Sequence, residues 1–147
     1  MQILTMFLVF VAGMLAPSQA GINSTLSRYL GSDFLAALVS FSVGTLALAT
    51  YALLSRLHMP LLKALGQGPW WMWLGGLCGA FLVTVTILAA PRLGATTMIG
   101  FLLAGQMIAS LILDHFGLLG YTEHAINIWR VLGVVLLASG VMLIRTF

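Results

Sequence analysis

LAPSQAGINSTLSRYLGSD, Leu15 to Asp33, decides how this chain is built. It follows the apolar opening QILTMFLVFVAGM and places Pro17, Gln19 and Asn23 where a lipid-facing helix would continue in Leu and Val. If the first helix stops near Pro17, the stretch is a loop and its two amides are ordinary solvated groups. If it runs on, the same amides lie inside the membrane. Gly31 is of the type that ends helices in the left-handed conformation, and Ser32 or Asp33 is of the type that caps the next one. A run from 3 to 28 reaches about 39 Å at roughly 1.5 Å per residue, enough to cross a bilayer with tilt. The better boundary is GSD, so Gln19 and Asn23 are expected at span depth.

Composition agrees with a membrane setting. Of 147 residues 61% are apolar and 6% charged, with a mean hydropathy of +1.12. Soluble domains carry about 25% charged residues, so a chain this poor in charge cannot clothe itself in water. A bilayer core of about 30 Å takes roughly 20 helical residues. Windows of that size predict five spans at about 3–28, 34–55, 70–90, 95–116 and 126–145. The expected fold class is an all-α integral membrane protein, a single five-helix domain over 1–147, multi-pass in the cytoplasmic membrane, with its termini on opposite sides. The opening lacks the positive region of a signal peptide, and cleavage is not expected.

The connections carry their own signals. SRLHMPLLKALGQGP, Ser55 to Pro69, reads as a short amphipathic turn at the interface, and Trp70 to Trp73 enter the third span at headgroup depth. AAPRLG breaks the third span from the fourth with Pro91 and Gly94, and DHFGLLGYTEHAINIW holds the densest polar cluster.

Several chemistries are excluded. The single Cys78 allows no internal disulfide and reads as a small packing residue. The Asp114–His115 and Glu123–His124 pairs lack metal-site spacing and read as interface caps; scattered glycines without strand, helix and lysine make no phosphate loop. No cofactor is expected. Six Lys and Arg placed singly leave no nucleic-acid footprint.

Those six cations divide evenly. Arg28, Arg92 and Arg145 follow spans one, three and five, whereas Arg56, Lys63 and Arg130 lie on the opposite side. Lys and Arg bias sets orientation, and here it is balanced. One reading is that so few charges carry no information. The other is insertion both ways and assembly as an antiparallel pair, the symmetry that inverted-repeat transporters build into one chain.

Lipid offers no partner to an amide or hydroxyl, so polar groups at span depth face helices or a cavity. Gln19 and Asn23 share one helical stripe with Leu15 and Ser27, beside a small-residue stripe of Ala12, Ala16, Ala20 and Ser24. Pro17 frees a carbonyl near residue 13. Ala36, Ser40 and Gly44, with Thr45, read as a packing face, as do Gly75 and Gly79; Thr84 and Thr86 can bond back to their own helix. In the fourth span Gly94 to Thr97 open the helix, Gly100 and Gly105 thin it, and Gln106 lies near its middle. No carboxylate lies at mid-depth. Gln19, Asn23, Thr97 and Gln106 are the candidate binding residues, and helix–helix glue is the alternative for each.

PSQAGINSTL with RYLGS (Pro17 to Ser32), SFSVGTLAL (Ser40 to Leu48), PRLGATT (Pro91 to Thr97) and GQMIASLILDHFG (Gly105 to Gly117) together resemble the YdcZ-like family of the drug/metabolite transporter superfamily, over essentially the whole chain. The resemblance implies a five-helix half-transporter that completes ten helices as an antiparallel homodimer or with a related five-helix paralogue. The small multidrug resistance transporters are more distantly similar, with four helices and a first-helix glutamate that binds proton and cation. Gln19 stands roughly where that glutamate would lie if RYLG is matched to the end of their first helix. The expected function is a secondary transporter of a small polar or amphiphilic solute, with lipids around it. A passive dual-topology channel and a non-transporting scaffold subunit are the alternatives.

Overall fold

The computed structural model describes residues 1–58 and 69–147. The interfacial turn expected around Lys63 lies mostly outside the described residues. Among them are five helices long and apolar enough to cross a membrane. They are α1 (Gln2–Leu30), α2 (Asp33–Leu54), α3 (Gly75–Leu93), α4 (Ala95–Phe116) and α5 (Ile128–Thr146), with a 3-10 turn at Trp70–Leu74 leading into α3.

α1 runs straight through Pro17. A proline removes one intrahelical bond and crowds the preceding turn. The rest of the helix keeps its bonds, and no break follows. α1 ends at Gly31, whose φ of 70° is the left-handed conformation and whose N–H returns to the Ser27 carbonyl at 2.8 Å. Ser32 is extended, and its hydroxyl caps α2 by accepting from the Leu35 N–H. The Ser27 hydroxyl also donates to the Asp33 carboxylate across this link. One detail differs from expectation. α3 continues past Pro91 to Leu93, and the break falls at Gly94, where φ is 76°. Pro91 lies in the last turn, so it leaves the Ile87 carbonyl without its intrahelical donor and the helix runs only two residues further.

The chain divides into two compact units, Met1–Arg92 and Leu93–Phe147. In the first, α1 and α2 are antiparallel neighbours, and Ala36, Ala37 and Ile87 form a small core against Leu26 and Val83. Gly79 faces the Phe41 ring so closely that a Cβ there would sit 3.3 Å from it, whereas Gly75 has open space. Of the expected small-residue stripe on α1, Ala20 and Ser24 are buried and Ala12 is exposed.

In the second unit α4 and α5 form a hairpin. At one end Arg130 pairs with Asp114 at 2.9 Å and donates to the His124 carbonyl, while Asn127 caps α5. His124 also returns its N–H to the Asp114 carbonyl at 2.7 Å. At the other end the Arg145 guanidinium lies over the Phe101 ring. Between them Gly100 lets the helices close, since a Cβ there would meet the Val141 side chain at 3.0 Å. Gly100→Ala is therefore expected to lower stability by about 1–3 kcal/mol through overpacking. Adding Val141→Ala should return much of the loss, as thermal unfolding in detergent would show.

Candidate functional site

Gln19 and Asn23 of α1 stand on the same groove. It has a volume of about 400 Å³ along the α1–α2 seam, walled by Leu15, Ile22, Leu26, Val39 and Val43, with Ser18 and Ser40 as its other polar members. A second compartment of about 230 Å³ shares Gln19 and Ser40 and adds Phe41, Gly44, Thr45 and Leu48. Gln19 lies three residues beyond the middle of α1, about 5 Å along the axis, so both compartments are at membrane depth. Positioning follows from the local fold. Continuity of α1 through Pro17 keeps the two amides on one stripe, and the tight Gly31–Ser32 link sets α2 against that stripe.

The two amides differ in burial. Gln19 is exposed on the first unit's surface, whereas Asn23 is 4% exposed. The Asn23 side-chain nitrogen is fully enclosed and has no hydrogen-bond partner among the described residues. An enclosed donor left unmatched costs on the order of 1–3 kcal/mol, so such groups are rare unless something else completes them.

The hydroxyls around it show the same pattern. Some helix hydroxyls satisfy themselves on a preceding carbonyl, as Ser42 does on Leu38, Thr50 on Leu46, Thr84 on Ala80 and Ser139 on Val135, each at 2.8 Å. Ser18, Ser40 and Thr45 make no such bond among the described residues. The groove therefore gathers an amide N–H, a second amide and three hydroxyls with unused capacity, and no charge. A further groove of about 410 Å³ between α2 and α3 differs in this respect. Its polar members, Asp33 and Thr84, are already engaged by Ser27 and by the Ala80 carbonyl.

The other two candidates lie on α4. Thr97 is half-buried in its first turn and Gln106 is exposed near its middle. Nine residues at about 100° each put them on opposite faces of the helix. Gln106 finds no hydrogen bond among the described residues, so at mid-span it calls for a polar partner from outside the α4–α5 unit. Ser40, Gly44 and Thr45, expected as packing residues, line the groove instead; of that stripe only Ala36, fully buried, packs. No group of three or more potential metal ligands occurs among the described residues.

A family model described as "Putative inner membrane exporter, YdcZ" matches residues 4–143. The chain belongs to the YdcZ family. Among curated proteins, the inner membrane protein YdcZ of Escherichia coli (strain K12) is 36% identical over 75 residues, 51% of this chain. That matched stretch spans 50% of the relative's own length. No solved structure matches. YdcZ-family membership and five membrane-length apolar helices make this a multi-pass protein of the cell membrane. They also place the α1–α2 groove within a family of membrane transporters in the general sense.

Proposed function

We propose that this YdcZ-family chain is a secondary transporter of a small solute across the cytoplasmic membrane, working as an antiparallel homodimer with alternating access. The observation that carries the reading is the enclosed, unmatched Asn23 N–H in an uncharged groove at membrane depth. The family's description supports transport rather than catalysis, and export as its direction. In this reading α1 and α4 of the two subunits line one central site. Gln19 and Asn23 contribute from one helix; of Thr97 and Gln106, which lie on opposite faces of α4, Gln106 at mid-span contributes from the other. A related five-helix chain can replace the second copy. Balanced Lys and Arg support the opposed orientation, and exchanging two equivalent ends would give alternating access.

Counterflow tests this. Purified protein in proteoliposomes, loaded with an unlabelled solute found by a thermal-shift screen of amino acids, amines, sugars and lipids, should accumulate the labelled solute transiently from outside. A conducting pore would dissipate the gradient with no overshoot. A scaffold subunit would show no protein-dependent flux at all.

A further inference from the structure

Resting on the site just proposed, we infer that the α1–α2 groove selects an uncharged amphiphile whose hydrogen-bonding head, such as a primary amide, meets the Asn23 side-chain amide. Three observations set this class. The Asn23 amide has an unmatched N–H and no hydrogen bond to its oxygen among the described residues, so what completes it is a head that can both donate and accept. Neither compartment of the groove is lined by a charged side chain, so an ionised head would lose its water with no counter-charge to replace it. Leu15, Ile22, Leu26, Val39 and Val43 surround the polar group with apolar wall, which fits a hydrocarbon body beside that head.

The size agrees. Pockets for small organic ligands run from about 300 to 1,000 Å³, and this one has a volume of about 400 Å³. Gln19 and Ser40 belong to both compartments, so a solute held at Asn23 has its next polar contacts at Gln19, Ser40 and then Thr45. The shared rung is where it would pass from one compartment to the other.

Protection of an engineered thiol tests the class independently of flux. Val43 lines the groove, and Val43→Cys in a Cys78→Ser background puts one reporter there. The full chain, purified, is labelled with a small methanethiosulfonate at neutral pH beside three probes with one body: 3-phenylpropanamide, 3-phenylpropanoate and 3-phenylpropylamine. The neutral amide should protect half-maximally at a concentration about fivefold to tenfold below that needed by either ion, the effect of one added hydrogen bond. At that concentration the anion and the amine should leave the rate nearly unchanged. Asn23→Leu should remove the protection, and Asn23→Asp should transfer it to the amine.

Equal protection by the ions, or none by the amide, overturns the inference. So does a thiol that never labels, which would show the groove sealed by another helix. Protection by the amide without counterflow of any solute would keep the binding class and remove the transporter reading. Counterflow of a charged solute without such protection would do the reverse.

Discussion

Asn23→Leu is expected to cut solute flux by about tenfold or more while leaving the purified protein at least as stable as before. The two readings of this residue predict opposite signs for stability. If the Asn23 amide glues α1 to a neighbouring helix, its bond contributes about 0.6–2 kcal/mol and losing it lowers the melting temperature. If the amide waits for a solute, the resting protein carries an enclosed donor with no partner. Removing that donor relieves a cost on the order of 1–3 kcal/mol, and Leu branches at the same carbon as Asn. Crowding by the longer methyls offsets part of the gain. Flux should fall by about tenfold to a hundredfold, the equivalent of 1–3 kcal/mol of lost binding.

The measurements are thermal unfolding in detergent and counterflow on the same preparation. A lower melting temperature with intact flux would assign Asn23 to packing and remove it from the site. Gln19 supplies a control. It is exposed on the first unit and shared by both compartments, so Gln19→Leu should reduce flux with little change in the unfolding of the single chain.

Span count, helix ends and the α1 amides were all legible in the residues. They rest on local rules: length against bilayer thickness, Gly31 at a left-handed helix end, Ser32 as a cap, and the four-residue spacing of Gln19 and Asn23. What was not legible depends on which neighbour a side chain meets. Ala36, Ser40 and Gly44 spell the same every-fourth pattern whether a helix packs on them or a groove opens beside them. In the structure Ala36 is fully buried, whereas Ser40 and Gly44 face open volume. Ser42 and Thr50, on the same helix as Ser40 and Thr45, bond back to their own backbone. Nothing in the residue order separates the self-satisfied hydroxyls from the free ones.

The α4–α5 link is a second case. Its course depends on Leu119 at a φ of 57°, a conformation that Leu does not advertise, and on Asp114 meeting Arg130 across the loop. The acidic cluster was read as helix caps. Asp114 instead holds the two helices together through an ion pair, and Asn127 supplies the cap.

Insertion in both orientations predicts a complementation that no one-way topology allows. Arg28, Arg92 and Arg145 stand against Arg56, Lys63 and Arg130, three against three. Arg56→Gln leaves three against two, and Arg92→Gln leaves two against three. With so few cations, each change supplies a bias where none existed. Both residues are exposed, and neither makes a side-chain hydrogen bond among the described residues, so the changes should act on orientation rather than folding. Leu57, exposed just after α2, reports the side when replaced by Cys in a Cys78→Ser background. In the parent an impermeant thiol reagent should reach part of the population from outside and the rest only after permeabilisation. Arg56→Gln should turn the Arg92 side inward and expose nearly every Leu57→Cys thiol to the outside, and Arg92→Gln should hide it. Each variant alone then lacks the opposed partner, and its flux should fall severalfold. Expressed together, the two supply both orientations and should restore it, because an antiparallel pair needs one chain of each bias. Labelling of the parent from one side only would refute dual insertion, leaving a parallel assembly or an oppositely inserted paralogue. Two biased variants that each keep full flux alone would show that the working unit does not contain opposed copies.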